Sequence, residues 1–205
     1  NGDRWHMTDA QKREYDETLD VTGTGIMGYV TIPRIKVKLP VYHGTSDGVL
    51  QIAAGHLAGT SLPVGGATTH TVVSGHTGLP SARLLTGLDE LEKGDTFAFH
   101  VLDETYTYKV DQISVVLPSE ISKLNIESGA DYATLITCTP YGINNKRLLV
   151  TGTRTSMPHP APKPENAPKD HTNQWLMLYV GGFWLAVIII TILIIRRKNH
   201  AKKEH

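Results

Sequence analysis

Only one of the 205 residues is cysteine, Cys138, so no internal disulfide can form and an ordinary hydrophobic core must hold the fold. Charge of one sign is also missing, with 20 basic residues against 20 acidic ones. That balance hides a division. The tail from Arg196 carries five basic residues and one acid, which leaves the rest of the chain at net −4. Outside the tail no basic stripe and no interleaving of basic with aromatic residues occurs, which argues against nucleic acid as a partner. Close metal-ligand pairs of the CxxC or HxxxH kind are absent as well. A zinc site drawn from His56, His70, His76 and Cys138 is therefore not expected. There is no internal repeat. The first residue is Asn and no signal sequence precedes it, although an exported domain needs one or a first membrane span, so an N-terminal segment is expected to be missing from this chain.

Long apolar runs are lacking everywhere but in one place. Leu176 to Ile195 is a run of 20 residues without a charge, the length that crosses a bilayer as a helix. Trp175, Tyr179 and Trp184 lie at or towards one end, and Arg196, Arg197, Lys198, Lys202 and Lys203 follow the other. The positive-inside rule then puts the tail in the cytoplasm and the larger domain outside. Before the span, residues 157–174 carry Pro158, Pro160, Pro162, Pro164 and Pro168 among polar residues, a composition that tends to polyproline II and makes a stiff stalk. The expected organisation is an N-terminal segment over 1–25, one domain over 26–156, the stalk over 157–174, a membrane helix over 175–195 and a basic cytoplasmic tail over 196–205. A content of 40% hydrophobic and 20% charged residues suits one globular domain with such an appendage.

Within the domain the pattern is mostly β. Thr8 to Leu19 is rich in helix formers with Thr8 or Asp9 as a cap, but only Ala10, Tyr15 and Leu19 give it an apolar side, so a surface helix is expected. Ile26 to Val41 reads as two short strands around Pro33. Asp47 to Ala54 reads as a helical turn, Gly59 to Gly66 as a loop, and Thr69 to Ser74 as a strand ended by Gly75 and His76. Pro80 to Leu85 suggests a short helix. Thr96 to Val101 and Glu104 to Val116 are further strands. Short strands with frequent turn signals suit a small barrel or sandwich.

Cys138 ends an apolar, β-branched run from Thr134, and Arg147 opens another through Thr151. Between them Pro140, Gly142, Asn144 and Asn145 are turn formers, so the two strands are expected to run antiparallel, with Cys138 facing Arg147 across the mouth of the loop. A lone cysteine is commonly a small buried hydrophobe. Outside the cell, however, an unpaired thiol is an oxidation liability that is usually removed or used. A guanidinium beside a thiol favours the thiolate and can hold a developing oxyanion. Such a nucleophile needs a proton partner, and His76 stands out among ten histidines because SGHTGLP presents it between glycines at a strand end.

TLITC with Arg147 nine residues on, SGHTGLP, GYVTIPRIKVKLPVYHG and GHLAGTSLPVGG together resemble the sortases, and among them the pilin-polymerising class C group. The resemblance runs from about Asp3 to Arg154, and the C-terminal span is similar to that group's. It implies a closed eight-stranded β-barrel with short helices and a cysteine transpeptidase. Cys138 is then the nucleophile that cleaves an LPXTG-like sorting signal through a thioacyl enzyme, His76 the proton carrier, and Arg147 the holder of substrate or oxyanion. A pilin subunit carrying the sorting signal is the implied donor and a pilin lysine the implied acceptor. No cofactor and no metal is implied. Class C sortases commonly carry an N-terminal lid with an Asp-Pro-aromatic motif. Asp3-Arg4-Trp5 stands at a similar place, with Trp5 expected over the Cys138 sulfur and Asp3 against Arg147, but Arg4 replaces the proline that would preset the turn.

Two other readings compete. A housekeeping sortase would use a cell-wall peptide as acceptor. A surface-anchored structural protein also ends in an apolar span and a basic tail, but it needs an LPXTG-like pentapeptide just before the span, where this chain has Thr172 to Leu176, TNQWL.

Overall fold

The computed structural model describes residues 4–78 and 83–156. The stalk, the apolar span, the basic tail and Asp3 lie outside the described residues. Among the described residues no helix is long and apolar enough to cross a membrane.

Thr8 caps the first helix, α1 (Asp9–Glu17). Its hydroxyl accepts from the Gln11 amide while the Gln11 side chain accepts from the Thr8 amide, a reciprocal capping box. No residue of α1 is buried, as its thin apolar side predicts. Its one firm anchor is Tyr15, whose hydroxyl accepts from the Gly44 amide (2.9 Å) and lies 2.9 Å from His56 Nδ1. His56 Nε2 faces the Ser61 carbonyl at 2.8 Å and must donate to it, so Nδ1 is the acceptor and Tyr15 the donor. Burial pushes the Tyr15 hydroxyl up to about 12 and the His56 ring down to about 4.

The strands are β1 (Ile26–Ile32), β2 (Val37–His43), β3 (Ala54–His56), β4 (Thr69–Ser74), β5 (Thr96–Val101), β6 (Glu104–Val116), β7 (Asp131–Thr139) and β8 (Lys146–Arg154). They close into a barrel in the order β1-β2-β3-β4-β7-β8-β6-β5. β2 with β3 and β4 with β7 pair in parallel, and the other neighbours are antiparallel. A single helical turn at Pro33–Ile35 joins β1 to β2, and Asp47–Leu50 forms a one-turn helix, α2.

Two features differ from the sequence reading. Ala54–His56 is a strand that the sequence does not announce, because two of its three residues are small. Gly55 is needed there, since a Cβ would collide with the Gly44 carbonyl. Of the helix expected over Pro80 to Leu85, the described part is not helical: Arg83 has no regular structure, and Leu84 and Leu85 are turn. There Leu84 takes a positive φ of 41° while Leu84 and Leu85 bury their side chains, so apolar content reports burial at this place and not helix.

Alternation sorts the strands' side chains into two layers. Val73, Ala133, Leu135, Leu148 and Val150 point into the barrel, where Phe97 and Tyr108 stack with ring centres 5.7 Å apart. The alternate residues Val72, Ile136 and Leu149 form a second apolar cluster on the outer face of β4, β7 and β8, together with Leu124 from the β6–β7 connection. That outer face carries the candidate site.

Candidate active site

The register sets the geometry. Ser74 pairs with Ile136 and Ile136 with Leu149, which makes one row across β4, β7 and β8. One step further along the same face, Cys138 pairs with Arg147, and Arg147 with Val116 of β6. Cys138 and Arg147 fall in that row on one face, and His76 follows Ser74 by two residues, just past the end of β4. The cysteine and arginine are therefore opposed as the sequence predicts. The strands reach further than their apolar runs, since Thr139 and Lys146 also pair and the loop is confined to residues 140–145.

The β4–β7 pairing, which ends two residues before His76, is clamped beyond its last strand pair. The Gly75 amide donates to the Ile136 carbonyl at 3.0 Å, and the buried Thr137 hydroxyl donates to the Gly75 carbonyl at 2.8 Å. Gly75 is thus held by the two residues that precede Cys138. Gly75 also leaves room for Leu85, whose Cγ would lie 2.8 Å from an added Cβ. Beyond His76 the chain turns through Gly78 at φ 72°, where the Tyr141 ring lies directly against the backbone and leaves no space for a Cβ. Sequence reasoning missed Thr137 and Tyr141, although both flank Cys138 closely.

Cys138, His76 and Arg147 are each partly exposed. Arg147 Nη1 donates to the carbonyls of Asn144 (3.2 Å) and Lys146 (3.0 Å), which holds the guanidinium at the loop mouth. Among the described residues, two openings border this row. The first is a groove of about 330 Å³ on the outer face, floored by Ser74, Ile136 and Leu149 and walled by Leu117, Ile121 and Leu124, with Arg147 at one end. The second is a cleft of about 240 Å³ bordered by Cys138, Thr77, Asp89, Glu90, Tyr141 and Leu148.

The N-terminal segment lies in the groove. Trp5 packs against the cluster of Val72, Leu124, Ile136 and Leu149. Arg4 donates to the Leu124 carbonyl at 3.1 Å and to Asn125 Oδ1 at 3.4 Å. The Arg4 carbonyl lies so close to Gly59 that no side chain fits there. Trp5 is thus one row away from Cys138, in the groove beside Arg147, and the cleft that Cys138 borders is lined by other residues. Arg4, standing where a proline was expected, supplies the segment's hydrogen bonds.

The histidines set aside as background are taken up by the fold. His56 is tied to Tyr15 and Ser61, and His70 places Nδ1 2.9 Å from the Asn125 carbonyl and Nε2 2.7 Å from the Thr134 hydroxyl. Burial lowers the His70 pKa, its largest cause, as it does for His56. Among the described residues no group of three or more His, Cys, Asp or Glu side chains is placed to hold a metal ion.

The sortase domain family matches residues 30–155, which include β1 in part and every later strand of the barrel. The chain belongs to the sortase family. Among solved structures, sortase C1 from Streptococcus agalactiae is 53% identical with a TM-score of 0.74, the match covering 76% of this chain and 80% of that one. Sortase C-1 from Actinomyces oris is 47% identical with a TM-score of 0.71, over 74% of this chain and 85% of the other. Among curated proteins, sortase A of Streptococcus agalactiae is 28% identical over 117 residues, 56% of this chain and 47% of its own length. The chain thus spans about half of that relative. Sortase A of Bacillus anthracis is 26% identical over 71% of this chain and 70% of its own length. Sortases are cysteine transpeptidases, and the eight-stranded barrel with few short helices is the fold expected of one.

Proposed function

We propose that the chain is a membrane-anchored class C sortase in which Cys138 is the nucleophile, His76 the proton carrier and Arg147 the oxyanion holder. The observation that supports this is the pairing of Cys138 with Arg147 across β7 and β8, with His76 directly after Gly75, which is bonded to Ile136 and Thr137. The thiolate of Cys138 attacks the carbonyl carbon of the Thr–Gly bond in an LPXTG-like signal. The C–N bond breaks as the His76 imidazolium gives its proton to the departing glycine amine, leaving a thioacyl enzyme and a neutral imidazole. Arg147 holds the tetrahedral oxyanion by charge-assisted hydrogen bonds. An incoming amine then attacks the thioacyl carbon, the C–S bond breaks, and His76 takes the proton.

The identity near 50% to structures named sortase C favours a pilin lysine over a cell-wall peptide as that amine. The groove, apolar along its floor and closed by Arg147, is where we seat the sorting signal, and Trp5 acts as a lid that must leave it first. The apolar run over 176–195 anchors the enzyme with its domain outside the cell. Incubating the protein with candidate pilins bearing LPXTG-like signals tests the reading. Covalent ladders resistant to boiling in detergent are expected, and cleavage of the signal without any ladder would remove the pilin assignment.

A further inference from the structure

Resting on the transpeptidase reading above, we propose that Leu84 to Thr86 form a strap that sets where His76 stands, with Thr86 as the positioning residue whose side chain does so. Among the described residues nothing hydrogen-bonds the His76 ring. The place of the imidazole is therefore fixed by the main chain that carries it. Strand β7 holds one side of that main chain, through the bonds of Gly75 to Ile136 and Thr137. The strap holds the other. The Leu85 amide donates to the His76 carbonyl at 3.0 Å, and the Thr86 hydroxyl accepts from the Gly78 amide at 2.8 Å. Leu85 also lays its side chain against Gly75, so two consecutive strap residues meet the chain before, at and after the histidine.

The strap is itself held under strain. Leu84 takes a φ of 41°, a left-handed conformation that costs a bulky side chain free energy and persists only where its surroundings impose it. Burial imposes it here, since Leu84 and Leu85 are both packed away from solvent. Tight turns fix the strap further, with the Thr86 amide donating to the Arg83 carbonyl at 2.8 Å and the Leu88 amide to the Leu85 carbonyl at 3.1 Å. Within this frame the Thr86 hydroxyl is the one side-chain group that bonds the His76 turn from the strap. Gly78 and Thr86 are partly exposed, so water can take over the Gly78 amide when the hydroxyl is removed. Its loss then frees the histidine's turn while the buried leucines keep the strap in place.

Two substrates separate positioning of a proton donor from general damage. The full chain is given an LPXTG peptide, whose glycine amine departs only with a proton from His76, and the same signal ended at its threonine as a p-nitrophenyl ester, whose phenolate leaves without one. The readout is the ratio of kcat/KM for the amide to that for the ester. His76→Ala should lower this ratio most. Thr86→Val, of the same shape but without the hydroxyl, should lower it about tenfold, because misplacing a catalytic group by about 1 Å costs up to about 100-fold. Thr86→Ser keeps the hydroxyl and should stay within about twofold of the wild type. Adding Thr86→Val to His76→Ala should lower the ratio no further, since the threonine acts through the histidine. Partial unfolding does not move a ratio taken on one sample, and Thr86→Ala carries the same readout if Thr86→Val folds poorly. A ratio unchanged within about twofold in Thr86→Val, an equal fall in Thr86→Ser, or a further fall in the double variant overturns the positioning role and leaves the transpeptidase standing. A His76→Ala ratio equal to that of the wild type refutes His76 as the proton carrier, and the role of the strap with it.

Discussion

Replacing Trp5 by alanine should open the groove and accelerate acylation of Cys138. The indole packs on Val72, Leu124, Ile136 and Leu149 and is partly buried. Removing roughly 80 Å² of apolar contact at about 25 cal/mol per Å² costs the closed state about 2 kcal/mol. That shifts the balance between closed and open segment by roughly 30-fold. At low peptide concentration, kcat/KM for cleavage of an LPXTG peptide should rise by up to the same factor, because the peptide needs the space that Trp5 fills. Arg4→Ala, which removes the bonds to Leu124 and Asn125 and the guanidinium 4.6 Å above the Trp5 ring, should give a smaller rise of about fivefold. Deleting residues 1–6 should reproduce the Trp5 effect. The melting temperature is the control, since α1 keeps its own anchor through Tyr15. An unchanged kcat/KM in a variant that melts like the wild type would mean that this segment is no lid.

Three further expectations concern separate parts of the molecule. Arg147→Lys should slow turnover on the order of 100-fold, since a lysine cannot present the planar fork to an oxyanion; near-normal turnover would leave Arg147 a structural role only. His56 is neutral when folded, with its pKa lowered from 6.5 to about 4 chiefly by burial, so the unfolded chain takes up that proton first as pH falls. The stability this gives is complete above pH 6.5 and is lost down to about pH 4, amounting to roughly 3 kcal/mol. Urea midpoints at pH 7.5 and 4.5 should therefore differ less in His56→Gln than in the wild type, and equal differences would remove His56 from the explanation. Protease added to intact protoplasts should cut within 157–174 and release the barrel, whereas full protection would reverse the orientation.

The sequence made β4, β5 and β6 legible to the residue, because β-branched and aromatic alternation is bounded there by turn residues. It also placed Cys138 opposite Arg147, since turn formers between two apolar runs leave little choice of register. What carries the His76 stretch to the edge of β7 was not legible. That depends on the parallel pairing of Thr69–Ser74 with Asp131–Thr139, a contact between distant stretches that no local pattern encodes. The groove was invisible for a related reason. Its wall, Leu117 to Leu124, is an irregular connection whose exposed Leu117 and Ile121 acquire a purpose only once the outer face of β7 lies beside them. Arg4 was read as a lost proline, and its bonds to Leu124 and Asn125 could not be foreseen without that wall.

The central claim is that the Cys138 sulfur carries the acyl group. Intact-mass measurement after mixing the protein with an LPXTG peptide, quenched at acid pH, tests it most directly. The account predicts an added mass equal to the peptide's fragment up to and including its threonine. That mass should map to Cys138, disappear on treatment with hydroxylamine, and be missing from Cys138→Ala, whose methyl is close in size to the thiol. Cleavage of the peptide by Cys138→Ala at the wild-type rate, or an adduct mapping to another residue, would contradict it.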